Sequence, residues 1–228
     1  MDALSVVIAA SLAALAAALG MLAGRGFLRA ARTGKVAQAM WGGGLALGAA
    51  AMAVELVAYL GLVDEGLLQG YVFLSAAIVG VLSLGAVGSL RRPRLERGYA
   101  AFQTVALATT AVASFTTRLP LSMVVGGVIV GDPPVLLLVL SSIVTVPATV
   151  VLLGTAVASL RRAFRWSHVT MLAGACILGA GGALYIASFP VMLYYAEFVG
   201  IVLLFVGLVN LSRVPVPRAA VAGLARPH

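Results

Sequence analysis

An all-α, polytopic membrane protein built as a seven-transmembrane-helix bundle is the fold class this chain predicts. The first reason is composition: 62% of residues are hydrophobic and 10% are charged, where soluble domains carry about a quarter charged residues. The second is run length, because apolar stretches of ~20 residues, enough to cross a hydrocarbon layer of ~30 Å, follow one another with short gaps. The third is where the charges fall. All of the fifteen Lys and Arg residues except Arg118 lie in alternate gaps or in the tail. Short basic loops are retained in the cytoplasm, so this alternation both counts the spans and orients them, N-terminus outside and C-terminus cytoplasmic.

The spans are expected at about 3–24, 38–62, 68–90, 99–118, 134–160, 168–188 and 190–212, a single domain over 1–213 followed by a cytoplasmic tail at 214–228. The chain opens Met1-Asp2, without the positive region of a secretory signal, so the first helix should be kept. Arg25, Arg29, Arg32 and Lys35 fill the first gap, Asp64 and Glu65 the second, and Arg91, Arg92, Arg94 and Arg97 the third. Asp132 lies in the fourth, Arg161, Arg162 and Arg165 in the fifth, and Arg213, Arg218 and Arg226 in the tail. Trp41 and Trp166 read as anchors at the cytoplasmic interface, and Tyr59, Tyr71, Tyr185, Tyr194 and Tyr195 fall toward the outer ends.

The fourth connection differs from the other gaps. Between Pro120 and Asp132, the stretch Ser122–Val130 is rich in β-branched residues on both sides of Gly126-Gly127, a hairpin signal, and is too short to span as a helix. An outer hairpin or flap over the bundle is expected there, with a re-entrant segment as the alternative. Pro147 removes a backbone donor in mid-span and should bend the fifth helix. Small residues at packing spacing, Gly44 and Gly48, Ala175 and Gly179, Gly200 and Gly207, mark helix faces that approach other helices closely.

Candidate functional residues are few. Glu55 and Glu197 are the acidic residues well inside the spans, and an intramembrane carboxylate is costly enough to mark a functional site by default. Glu55 shares a helical stripe with Gly44, Gly48, Ala51 and Tyr59, and Glu197 one with Tyr194, Gly200 and Gly207, so both should point inward at similar depth. Arg118, the basic residue of the outer side, closes a fourth span whose Gln103, Thr110, Ser114 and Thr117 form a polar face. Its guanidinium could pair with one carboxylate in fork geometry. Two readings of Glu55, Arg118 and Glu197 follow. They form either a buried polar network holding helices two, four and seven in register, with Glu55 bonded to Tyr59, or an outward-facing polar cavity. That cavity would be completed by Tyr71, Ser75, Tyr185, Tyr194 and Tyr195 and would bind a proton, a cation or a small amphipathic molecule. Ser141, Ser142, Thr145 and Thr149 are read as bonding to backbone rather than to a ligand.

Several function classes are disfavoured. Lys35 is the one lysine and sits in a gap, so no retinal Schiff base fits the seventh span. His168 and His228 are the two histidines, neither deep in a span, which excludes a haem pair held between helices. There is no phosphate loop, no HExxH, no Ser/His/Asp set and no carboxylate cluster for metal chemistry. Neither cofactor nor metal is expected, and no enzyme activity. Cys176 cannot form an internal disulfide and reads as a small buried hydrophobe. The net charge of +8 is accounted for by helix ends meeting anionic lipid headgroups, not nucleic acid.

Four stretches carry a resemblance: Tyr71 with Leu82-Ser83-Leu84-Gly85; Val151-Leu152-Leu153-Gly154-Thr155-Ala156 with Ser159; Ala173-Gly174-Ala175 with Gly181-Gly182; and Glu197-Phe198-Val199-Gly200 with Phe205-Val206-Gly207. In these the chain resembles a family of prokaryotic seven-helix integral membrane proteins whose activity is uncharacterised. The resemblance implies the topology and no site. The functional expectation is therefore a multi-pass cell-membrane protein that transports or senses a small molecule or ion. The alternative is a non-catalytic structural or accessory subunit of a larger membrane complex. Its partners would be membrane lipids, together with other membrane subunits or further copies of itself.

Overall fold

The computed structural model describes residues 3–90, 92–125, 128–129 and 133–162, with isolated helical positions at 166, 169–170, 172–174, 176–177, 199–200 and 202–203. The chain forms helices α1 (Ala3–Thr33), α2 (Val36–Tyr59), α3 (Glu65–Ser89) and α4 (Pro93–Thr116). A single 3₁₀ turn at Leu121–Met123 and a hairpin of β1 (Val124–Val125) and β2 (Val128–Ile129) come next, and α5 runs over Val135–Arg162. The expected spans at 168–188 and 190–212 and the tail lie outside the described residues, apart from those isolated positions.

The first five expected helices are present with shifted ends. The largest shift is in α1, which was expected to stop near Gly24 and instead carries Arg25, Arg29 and Arg32 as helix. Polar residues end an apolar run but do not by themselves end a helix. What ends this one is Gly34 in the left-handed region (φ 65°), whose N–H bonds to Ala30 O at 2.8 Å, the single-bond left-handed cap. Gly61 (φ 77°) ends α2 in the same conformation, with Gly61 N–H on Ala58 O and Leu62 N–H on Val57 O, the Schellman pair. The Asp64 side chain then caps α3 by accepting from Leu67 N at 2.8 Å, satisfying one of the orphan donors at a helix start.

Neighbours in sequence pack in space: α1 on α2, α2 on α3, α3 on both α4 and α5, and α4 on α5. At the basic end the contacts are backbone-close. A Cβ on Gly26 would lie 2.8 Å from Gly42 Cα, one on Gly44 2.6 Å from Leu82, and one on Gly85 2.7 Å from the Trp41 ring. Gly26 is therefore the condition for its crossing, since a Cβ there meets backbone, whereas at Gly44 and Gly85 it would meet side chains that would have to shift. Trp41, expected as an interface anchor, lies half-buried over Gly85. At the opposite end Ala58, Leu68, Leu119, Met123, Ile129 and Leu137 form a buried apolar cluster drawn from α2, α3, the fourth connection and α5.

The hairpin forms as the Gly-Gly signal anticipated, antiparallel with Val124 opposite Ile129 and Val125 opposite Val128. It folds back over the bundle: Met123 and Ile129 are buried in that end cluster. Two bonds from the first turns of α3 fasten the approach to it. Gln69 Nε2 donates to Thr117 O at 2.9 Å and Leu119 N donates to Glu65 Oε1 at 3.2 Å.

α4 is inverted relative to a helix of a soluble protein. Gln103, Thr110 and Ser114 are fully buried, whereas Phe102, Val105, Val112 and Phe115 are exposed. A polar face turned inward and an apolar face turned outward suit hydrocarbon as the surrounding solvent. Segments Val6–Thr33, Val36–Tyr59, Glu65–Gly88 and Val135–Ala158 are each long and apolar enough to cross a membrane. The protein is thus all-α, with four helices of membrane-spanning character among the described residues.

Candidate functional site

Glu55 lies one turn before the end of α2, about 6 Å below Tyr59 at 1.5 Å per residue. That is shallower than the sequence spacing to Asp64 implied, because α2 stops at Tyr59 and the residues to Asp64 are loop. It is nevertheless 2% exposed. The hydroxyl of Tyr71, on the facing turns of α3, donates to Glu55 Oε1 at 2.5 Å. Glu55 Oε2 has no hydrogen-bond partner among the described residues.

The expected bond from Tyr59 to Glu55 is not made. An advance of four residues turns a helix by about 40° beyond a full circle, which carries Tyr59 away from α3 toward α1. There it packs against the buried cluster of Leu12, Leu15, Leu19 and Met52. Tyr71, expected as part of a cavity wall, is instead the direct partner. Ser75, placed in the same wall, is exposed and donates to Tyr71 O at 2.8 Å.

Arg118 does not reach the carboxylate. α4 ends at Thr116, and Thr117 is extended (φ −89°, ψ 129°), so successive side chains beyond it point to opposite sides. Leu119 takes the inward position, 3% exposed, which leaves Arg118 outward and exposed. Among the described residues it makes no ion pair with Glu55. Glu197 and Tyr194, the other expected members, lie outside the described residues, as do Tyr185 and Tyr195.

A second polar seam runs along α4 against α3 and α5. Gln103 Nε2 donates to Val144 O at 3.2 Å across the α4–α5 interface, in space left by Gly80, where a Cβ would lie 2.7 Å from that nitrogen. Thr110 donates to Ala106 O at 2.9 Å. Ser83 Oγ and Tyr99 Oη share a bond of 2.7 Å between α3 and α4. Gln103 Oε1 and Ser114 Oγ are buried without a partner among the described residues. The stripe 103, 110, 114 is legible in sequence, and Tyr99, four residues before Gln103, extends it; its bond to Ser83 is not legible, because that partner stands on another helix. Ser142 bonds to Leu138 O, the backbone role expected of it. Cys176, expected to be buried, is exposed; a thiol is apolar enough to sit on the outer surface of a membrane helix.

Chemically, Glu55 and Tyr71 form a carboxyl–phenol pair in which, among the described residues, one oxygen is left for a proton, a cation or a hydrogen-bond donor. Among the described residues no cluster of three or more metal-ligating side chains occurs. Comparison of the chain with known protein families, curated proteins and solved structures finds no match.

Proposed function

We propose that the chain is a multi-pass protein of the cell membrane, crossing seven times with its N-terminus outside, and that it transports or senses a proton, a cation or a small amphipathic molecule at a site centred on Glu55. One observation carries this reading: a carboxyl group 2% exposed, with Oε1 held by Tyr71 and Oε2 without a partner among the described residues. A carboxyl present to hold helices in register gains most when both oxygens are satisfied, because an unmet buried acceptor costs ~1–3 kcal/mol. A group kept half-open at that cost is one that receives something. Sequence grounds add Glu197 and Tyr194 of the seventh span to the same site, and leave Tyr59 and Arg118 at its margin. The topology is supported by the alternation of basic and acidic gaps and by the seven-helix resemblance.

Two assays test the site on the purified chain. Proteoliposomes loaded with a pH-sensitive dye report proton entry down an imposed gradient, and equilibrium dialysis with tetraphenylphosphonium reports binding of a lipophilic cation. One of the two signals is expected from the wild type. Glu55→Gln and Tyr71→Phe should each weaken that signal by about tenfold, the effect of ~1.4 kcal/mol, while still eluting as folded protein. Equal signals from all three proteins, or none from any, sink the site. Orientation is tested in intact cells carrying Cys176→Ser, where a membrane-impermeant maleimide should label Leu62→Cys and spare Lys35→Cys.

The second reading, an accessory subunit, is favoured by a shallow apolar groove of about 500 Å³ between α4 and α5, lined by Phe102, Val105, Thr109, Leu140 and Ile143 among others. Partner subunits retained in mild detergent, with indifference to Glu55→Gln, decide for it.

A further inference from the structure

Glu55 and Tyr71 are covered on the outer side by the connection that follows α4. Ala58 stands three residues after Glu55 along α2, and Leu68 three before Tyr71 along α3, so each lies one turn nearer the outer end on the face its neighbour occupies. Leu119, Met123 and Ile129 close over Ala58 and Leu68 in one buried cluster, against which Tyr71 itself packs. The next layer outward from the carboxyl is therefore this connection. It is a strap: over residues 117–125 it holds one 3₁₀ turn and β1, and a lone two-stranded hairpin is marginal by itself. Among the described residues two hydrogen bonds tie its stem to α3, Leu119 N–H to Glu65 Oε1 at 3.2 Å and Gln69 Nε2 to Thr117 O at 2.9 Å. Glu65 is exposed, so water takes over such bonds where they break.

We propose that the strap 117–125 is the outer gate of the Glu55 site, latched by Glu65 and Gln69, and that its release admits the occupant to the carboxyl. The proposal rests on the reading of Glu55 as a binding site. At 2% exposure, with Oε2 without a partner among the described residues, the carboxyl as it stands receives nothing from outside. Binding there requires a cover that opens, and the strap is the cover whose ties lie at the exposed rim. The latch residues differ in kind from the pair they guard: Glu65 and Gln69 hold backbone groups of the strap, whereas Glu55 and Tyr71 hold each other.

The test measures how fast a membrane-impermeant maleimide reaches Leu68→Cys from outside, in the full chain carrying Cys176→Ser in intact cells. With the latch intact it should react far more slowly than Leu62→Cys, which is exposed on the rim. E65A/Q69A should speed Leu68→Cys about tenfold, the effect of ~1.4 kcal/mol from two bonds of modest net worth, because attack on a covered group follows the open population. Leu62→Cys should keep its rate, and Leu19→Cys, buried between α1 and α2, should stay unlabelled throughout. The gate is overturned if Leu68→Cys matches Leu62→Cys before the latch is cut, or if E65A/Q69A leaves its rate unchanged. It is also overturned if Leu19→Cys labels alongside it, which is unfolding and not release. In the proton and tetraphenylphosphonium assays, E65A/Q69A should then speed the signal that Glu55→Gln weakens. Latch-dependent labelling without any such signal overturns the reading of Glu55; a Glu55-dependent signal indifferent to the latch overturns the gate alone.

Discussion

The two ends of the α2–α3 pair are held together by opposite means. At the basic end Gly42, Gly44 and Gly85 bring backbones and large side chains into direct contact, with Gly26 of α1 against Gly42 and Trp41 over Gly85. At the other end Glu55 meets Tyr71 through a hydrogen bond, and Glu65 and Gln69 fasten the chain that returns over them. The glycine end depends on shape, since without a hydrophobic drive between helices in lipid close packing must supply the attraction. The carboxyl end depends on a few polar groups, one of them left open. The lesson is that the first end can tolerate almost no added atom, whereas the second tolerates substitution in stability and should register it in function.

Ways to break this comparison run from the glycine end outward. Gly26→Val should be the most damaging, because the added Cβ meets backbone, at 2.8 Å from Gly42 Cα, and backbone cannot rotate aside. A loss of about 3 kcal/mol, the upper part of the overpacking range, should show as a large drop in the temperature at which the detergent-solubilised protein leaves the monodisperse peak. That readout is a rate-governed stability, as is usual for proteins that unfold irreversibly. Tyr71→Phe should cost less, ~1–2 kcal/mol, since it leaves the second buried oxygen of Glu55 unmet. Glu55→Leu, which removes both carboxyl oxygens, should be milder in the same assay than Tyr71→Phe while abolishing the binding signal. If instead Glu55→Leu unfolds the protein as Gly26→Val does, the carboxyl is a structural tie and the two ends are alike.

Smaller effects sharpen the picture. Gln103→Leu removes the bond to Val144 O, and interhelical hydrogen bonds in membranes average ~0.6 kcal/mol, so a shift of that size is expected. Ser114→Ala deletes a hydroxyl that has no partner among the described residues and should be neutral or slightly stabilising in the same thermal assay. Arg118→Ala should fall within ~0.5 kcal/mol of wild type, as for other surface substitutions. A large loss at Arg118 would restore the ion pair that the sequence spacing encouraged.

Much of the architecture was readable before any coordinates. The hairpin announced itself through β-branched residues around Gly126-Gly127, and the buried stripe of α4 through Gln103, Thr110 and Ser114, because both depend on local spacing. The partner of Glu55 was misassigned for the converse reason. Tyr59 is four residues away along the chain, but partnership across helices depends on rotation of α2 against α3, which spacing within one helix does not contain. Arg118 was misdirected by the same gap, since the direction of its side chain depends on α4 ending at Thr116 and the chain becoming extended. Apolar content alone places the end of α1 near Gly24, since it does not register a helix that continues through arginines to the left-handed Gly34.

From sequence alone came the helical class, the apolar segments long enough to cross a membrane, the charge alternation and the short list of polar residues worth inspecting. These follow from composition and period, which act residue by residue. Tertiary structure alone decided that Glu55 faces Tyr71, that Gly26 lies against Gly42, that the hairpin caps the bundle and that Arg118 stays outside. Each of those depends on how one rigid helix is turned and seated against another, a relation between segments that no single segment encodes.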